Sequence, residues 1–428
     1  MRVPVMPVRS PTPAVRVGLQ YGAMFTVIGI LMPFWPPWLE SRGLGAVEIG
    51  VVMAASQWSK VLVNPVVGHW VDATGRRKPT MVALAVASLV CFLALTPQTG
   101  FWPLLLLAVP ATACLAALMP LAETIALGLV RTTGADYGRM RLWGSLTFMV
   151  AAIGAGAALD VISVAIVPAG ILGALVLTLA ATLLLPGDGH RDPRAPGPES
   201  GGGLGRLLRE PRFVLFLACA GLAQASHAPY YGFSTLHWRA AGLSETTIGL
   251  LWAVGVVAEI GLFAVSNRAL ARLGPMGLLL VAAGGGLLRW TVTAATTHPG
   301  ALFAVQGLHA LTFAAAHLGA MHFVARAVPQ SHAVRAQGLY SALAMGALLG
   351  VAMMAAGWLY ARADGAAFLL GTALSAGALG AGLLLARRWD GGTLWRPAVV
   401  RAQEASNGAA ARAAPSPSPP SPGPTTSR

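Results

Sequence analysis

Gly68-His-Trp-Val-Asp-Ala-Thr-Gly-Arg-Arg-Lys78 is a short charged stretch between two long apolar runs. One half-chain later, residues 267–274 (Asn-Arg-Ala-Leu-Ala-Arg-Leu-Gly) form its weaker echo. A polar loop set among apolar runs, and repeated in the second half, reads as a membrane chain folded as two related halves. Composition agrees. Only 10% of the 428 residues are charged, 56% are hydrophobic, and mean hydropathy is +0.67. A soluble domain carries about 25% charged residues. This chain has too little polar surface to face water and belongs in a bilayer.

Working outward from the loop, apolar runs fall at 17–39, 48–70, 79–96, 102–130, 140–160 and 162–185. Six more fall at 212–236, 246–267, 275–296, 300–325, 336–360 and 365–386. Each is long enough for a spanning helix, which needs about 20 apolar residues. The expected organisation is a 1–16 N-terminal segment, a 17–185 six-helix bundle, a 186–211 central loop, a 212–386 six-helix bundle and a 387–428 tail. The tail is rich in Pro and Ser and is expected to be disordered. No cleavage site follows the first run, so an uncleaved first helix is expected.

The net charge of +14 does not indicate nucleic acid, because the basic residues sit in short loops. Of the 29 Lys and Arg, 24 lie on the side of the two termini and only Arg42, Arg239 and Arg362 opposite. By the positive-inside rule both termini are cytoplasmic, in an inner (plasma) membrane. The three cysteines lie within apolar runs without metal spacing, and no metal or other cofactor is expected.

The halves are related in sequence. Arg42-Gly-Leu-Gly-Ala-Val-Glu-Ile-Gly50 and Ala241-Gly-Leu-Ser-Glu-Thr-Thr-Ile-Gly249 share Gly, Leu, Ile and Gly at an offset of 199. The same offset sets Gly75 on Gly274 and Lys60 on Glu259. Parallel halves with a site between them near the midplane are a transporter architecture.

These residues resemble the major facilitator superfamily, whose loop between the second and third spans reads Gly-x-x-x-Asp-Arg-x-Gly-Arg-Arg/Lys. Gly68, Asp72, Gly75, Arg76 and Arg77 match it, and Ala73 departs. The resemblance implies an all-α fold of twelve transmembrane helices in two pseudo-symmetric six-helix bundles. It also implies a gating loop: Gly68 for close helix approach, Gly75 for a tight turn, and Asp72 as an anion for a helix N-terminus. Simple anchoring of topology accounts for Arg76 and Arg77 equally well.

A narrower likeness is to lactose-permease-like proton symporters and their phenylpropionate-transporter-like relatives. Tyr137-Gly-Arg-Met-Arg-Leu-Trp-Gly-Ser145, Trp252-Ala-Val-Gly-Val-Val-Ala-Glu259, Leu288-Arg-Trp290, Leu308-His309 and Gln337-Gly-Leu-Tyr-Ser341 carry it. That likeness assigns Glu123, Arg141, Glu259, Arg289 and His309 to the substrate and proton pathway. Two positions depart. Thr312 stands where a glutamate is expected beyond the histidine, and Phe148 where a tryptophan stacks on sugar.

Independently of any likeness, an ionised side chain at bilayer depth costs on the order of 3 kcal/mol and marks a pathway or a pair. Lys60, Glu123, Glu259 and Arg289 lie at such depth, and Arg141 near a span end. Lys60 and Glu259, being equivalent, are expected to share a central cavity. Lys60 and Arg289 would clamp a substrate carboxylate. Glu259 or Glu123 would carry a proton, since burial favours the neutral carboxyl form. Structural ion pairing is the alternative for each. His309, His317 and His322 lack the i, i+4 spacing of a metal site. Phe34, Trp35, Trp38, Tyr230 and Tyr231 are expected in an interfacial belt, or, for the tyrosines, against an aromatic substrate. Pro33, Pro36, Pro37 and Pro229 imply irregular segments at matched places.

The expected function is proton-coupled symport of a small organic acid by a monomeric carrier, and the narrower resemblance implies aromatic acids. Sugar symport and export of amphipathic compounds are alternatives. A non-transporting receptor or scaffold is the alternative of another class. A membrane enzyme is disfavoured, because no nucleophile elbow, phosphate loop or His-Glu-x-x-His cluster appears.

Overall fold

Twelve long apolar helices account for nearly all of the described residues. The computed structural model describes residues 12–187 and 203–395. The expectations for residues 1–11, for 188–202 of the central loop and for 396–428 of the tail lie outside the described residues.

The first half consists of α1 (Pro13–Ser41), α2 (Ala46–Thr74), α3 (Arg77–Leu95), α4 (Phe101–Thr133), α5 (Tyr137–Leu159) and α6 (Val164–Leu184). A short helix, Gly203–Arg209, leads into the second half. There follow α7 (Pro211–Ala240), α8 (Glu245–Ala264), α9 (Ser266–Ala295) and α10 (Pro299–Ala327). The span α11 runs through Gln330–Leu339, a π-helical Tyr340–Ala347 and Leu348–Ala363, and α12 is Leu369–Arg388. Glycines end several of these helices. Gly75 closes α2 with φ 70° and donates its N–H to the Val71 carbonyl at 2.8 Å. Its counterpart Gly274 has φ 62° and kinks α9. Both adopt the left-handed region that glycine enters without steric cost. The shared offset of 199 thus sets a positive-φ glycine at both places, though ψ differs, 2° at Gly75 and 177° at Gly274.

The prolines behave differently in the two halves. The first helix stays continuous through Pro33, Pro36 and Pro37, whereas α7 breaks at Ser226-His227, two residues before Pro229. The irregularity expected at matched places is therefore present in the second half alone.

The bundles meet through α2 with α11 and through α5 with α8. On the side where α1 ends, the meeting is backbone against backbone. A Cβ at Gly50 would lie 2.9 Å from the Met353 carbonyl oxygen and 3.1 Å from the Gly357 Cα. A Cβ at Gly357 would lie 2.6 Å from the Ala46 carbonyl. In the related seam, a Cβ at Gly156 would collide with the Glu245 carbonyl, and one at Gly249 with that of Ala152. Gly50 and Gly249 are the repeat positions of the sequence, so one glycine from each half's second span makes each seam. An acidic side chain reinforces the second seam. Asp160, capping α5, accepts the Glu245 N–H at 2.7 Å, the Thr246 N–H at 3.2 Å and the Thr246 hydroxyl at 2.5 Å. It thereby caps the N-terminus of α8 across the interface.

Trp58 closes the α2–α11 contact at middle depth, donating its indole N–H to the Ala347 carbonyl at 3.2 Å. Toward the loops at Gly75, Gly134 and Val265 no glycine makes such a contact: nothing lies within 4 Å of a Cβ at Gly128 or Gly261. No neighbour lies within 4 Å of where a Gly68 Cβ would stand. The close helix approach expected at Gly68 is therefore not made in this conformation.

Candidate functional site: a chain of ions and histidines between the bundles

In the first half, Asp136 caps α5 by accepting the Arg139 N–H at 3.1 Å. The helix that starts there puts Tyr137 and Arg141 one turn apart on the same face. The Tyr137 hydroxyl donates to Glu123 Oε2 at 2.8 Å. Arg141 Nε lies 3.8 Å from Glu123 Oε1. The Arg141 guanidinium covers the Phe25 ring at 4.1 Å and faces Tyr21 at 5.6 Å. About a quarter to a third of each charged side chain is exposed (33% for Arg141 and 28% for Glu123). This loose pair has donors and acceptors to spare.

In the second half the polar groups are packed more tightly. Arg289 on α9 is 1% exposed. Its Nη1 donates to His309 Nδ1 at 3.0 Å and to Thr312 Oγ at 2.9 Å, and its Nη2 to Gln306 Oε1 at 2.6 Å. Trp290 at 4.4 Å and Tyr230 at 4.8 Å flank the guanidinium, in cation–π range. The π-helical turn Ala310–Ala315 follows His309. Its extra residue brings His309 and Thr312 to the same arginine, and π-bulges of this kind gather at functional sites. His309 Nε2 lies 3.7 Å from Glu259 Oε2 on α8, whose side chain is 23% exposed.

Arginine only donates, so His309 Nδ1 is the acceptor and its N–H sits on Nε2, facing Glu259. Among the described residues no hydrogen bond or ion pair joins Arg141 to Glu259. Glu123 and Arg141 thus form one cluster in the first bundle, and Glu259, His309 and Arg289 a second in the other bundle.

Aromatic rings wall the second-half cluster. Tyr230 stacks on Trp252 at 4.4 Å, Tyr231 on Trp252 at 6.2 Å, and His309 on Phe313 at 5.3 Å. The interfacial belt expected of the tyrosines is not where they lie. Phe34, Trp35 and Trp38 are also core residues, at most 2% exposed, with Trp35 stacked on Trp38 at 4.9 Å. They pack the closed side of the first bundle.

Lys60 joins neither cluster. Its ammonium donates to Gln57 one turn back on α2, and among the described residues no contact links it to Glu259 or Arg289. The carboxylate clamp expected from Lys60 and Arg289 is not assembled here. Asp72 and Arg76 lie exposed, and Arg77 half-buried, at the open side of the first bundle. The neighbouring Lys78 donates to the Leu183 and Leu185 carbonyls at 2.8 and 2.7 Å, capping the end of α6. His317 packs near Tyr340 at 6.3 Å, apart from the cluster. Phe148 is buried against α1, where its carbonyl faces Gly29. No group of three or more His, Cys, Asp or Glu fit for a metal occurs among the described residues.

Two members of the cluster escaped the sequence reading. Gln306 reaches Arg289 from one turn before His309. His227, fully buried, comes from the break in α7 and reaches Thr312 Oγ with Nε2 at 3.1 Å. An intramembrane histidine beside a serine was the available signal for His227.

The family model described as "MFS_1 like family" matches residues 15–370. A probable 3-phenylpropionic acid transporter of Escherichia coli (strain K12) is 33% identical over 348 residues, covering 80% of this chain and 90% of that protein. The maltose permease of Geobacillus stearothermophilus is 28% identical, covering 77% and 83%. Among solved structures, the nucleoside transporter NupG superposes with a TM-score of 0.75 at 13% identity, over 88% of this chain and 99% of that one. At that identity the likeness is one of fold.

Proposed function

We propose, for a chain that belongs to the MFS_1 like family and is therefore a major facilitator transporter rather than an enzyme, proton-coupled symport of a small aromatic organic acid. The observation that carries this reading is a polar cluster in each bundle, Glu123 with Arg141 in the first and Glu259 with His309 and Arg289 in the second, the latter walled by Tyr230, Tyr231 and Trp252. Arg141 is the receptor for the carboxylate. It is loosely paired, partly exposed, and offers a planar fork that matches a carboxylate. The aromatic wall gives a ring something to stack on. The E. coli relative's printed name supports the same substrate class. Glu259 and His309 line the gap from the other bundle and meet the proton there.

Transport then proceeds by alternating access. The glycine seams and the Asp160 cap part, and the ends now separated come together around the gating loop of Gly68, Asp72, Gly75, Arg76 and Arg77. The preponderance of Lys and Arg in the terminal-side loops supports cytoplasmic termini. The conformation described is then the inward-open one.

Reconstituted protein in vesicles, given an inward pH gradient and 3-phenylpropionate, is expected to accumulate the acid and to alkalinise the medium outside. Accumulation of maltose but not of the acid under the same gradient would exclude the acid reading.

A further inference from the structure

Thr312 stands where the resemblance calls for a carboxylate, and the structure places an unassigned base against it. His227 is fully buried. Its Nδ1 lies 3.2 Å from both the Ala223 and Gln224 carbonyl oxygens. Carbonyls only accept, so Nδ1 carries the hydrogen and Nε2 is left with a lone pair. That lone pair lies 3.1 Å from Thr312 Oγ. Thr312 Oγ already accepts from Arg289 Nη1 at 2.9 Å. Its own hydrogen therefore points to His227. The ring is held edge-on to Trp290 at 5.0 Å and stacked with Tyr231 at 5.6 Å.

We propose that His227 binds the transported proton, on the lone pair that the Thr312 hydroxyl now occupies. The inference rests on the proton-coupled reading above and names the group that holds the proton. Thr312 hands its hydroxyl hydrogen to His227 Nε2 and takes one from a hydronium in the gap. The hydronium becomes water and His227 an imidazolium. Its Nε2–H then donates to Thr312 Oγ, and the hydroxyl turns toward the His309 carbonyl, 3.5 Å away. One oxygen now accepts from two cations, His227 and Arg289.

Before that step, Arg289 and Arg141 balance Glu259 and Glu123. Afterwards the site has one uncompensated positive charge, which a monocarboxylate substrate neutralises. Proton and acid anion therefore bind better together than apart. The charged and titratable groups around His227 are Arg289 of α9, His309 of α10, and Tyr230 and Tyr231 of its own span. Glu259 of α8 lies behind His309. The spans α11 and α12 meet this stretch through Leu348 and Gly371, which carry no charge.

Two measurements test the proposal. An imidazolium against Trp290 quenches indole fluorescence, so the wild type in detergent is expected to dim as pH falls between about 8 and 5, and His227→Gln is not. In vesicles, His227→Gln is expected to lose pH-driven accumulation of 3-phenylpropionate at least about tenfold more than it loses exchange of the acid across the membrane. Thr312→Val, of nearly equal shape, removes both the relay and the acceptor of the imidazolium N–H, and is expected to lose the quenching together with accumulation. It stands in should His227→Gln fail to fold. Identical quenching in wild type and His227→Gln, or accumulation at the wild-type level by either variant, overturns the assignment. Should the wild type itself accumulate no acid, the transport reading falls, while the fluorescence titration still decides the role of His227.

Discussion

Arg289 holds three acceptors at once: His309 Nδ1, Thr312 Oγ and Gln306 Oε1. Replacing it by Ala strands them in a buried pocket, and each buried unsatisfied group costs about 1–3 kcal/mol. Arg289→Ala is therefore expected to lower the melting temperature of the purified protein and to abolish uptake. Arg289→Lys keeps the charge but not the fork. It is expected to fold and to lose uptake by about tenfold or more, as a point charge cannot satisfy the set. A Lys variant with normal uptake would show that the charge alone matters. Arg289, Glu259 and His309 were legible in the sequence because ions and histidines stand out in apolar runs. His227 and Gln306 were not, because their roles depend on a helix break and a π-turn that no spacing rule announces. Lys60, legible as a cation at depth, turns instead to Gln57. Equivalence by repeat gives equivalent depth, not the direction in which a side chain turns.

At the scale of elements, the seams show why the second spans matter. The α2–α11 and α5–α8 contacts admit no side chain at Gly50, Gly357, Gly156 or Gly249. A bulky residue there must push the helices apart, at a cost of about 1–3 kcal/mol in a well-packed contact. Gly50→Trp is thus expected to open the closed side. With Cys91, Cys114 and Cys219 replaced, a single cysteine at Met353 should label faster with a water-soluble maleimide in Gly50→Trp than in its parent. An unchanged rate would mean the seam yields without parting. The repeat that contains Gly50 and Gly249 was visible from sequence. That these glycines join the halves was not, since the offset says nothing of what each faces.

At the scale of the whole molecule, the closed side carries an anion whose titration has a definite sign. The Thr246 hydroxyl, opposed by burial and helped by the Glu245 and Thr246 amides, holds the Asp160 carboxyl below its ordinary value of 3.8. A depressed value means that the stabilisation is present above the ordinary value and is lost only as pH falls through the lower one. Between about pH 5 and 8 Asp160 is therefore always ionised, and the cap is constant. Asp160→Asn is expected to ease opening of this side while leaving the pH optimum of uptake where it was. A displaced optimum would assign the pH response to Asp160. The twelve spans and the charge asymmetry of their loops were readable because hydropathy and topology are properties of composition. Which side stands closed was not, because that is a balance between two packings of one chain.

The seams have a consequence for inheritance. Every missense change in a glycine codon adds at least one carbon, and at these four positions a carbon has nowhere to go. Damage there is graded by bulk and indifferent to polarity or charge. A saturation library screened for carriers trapped with this side ajar should return substitutions of every chemical kind at codons 50, 156, 249 and 357, ordered by volume.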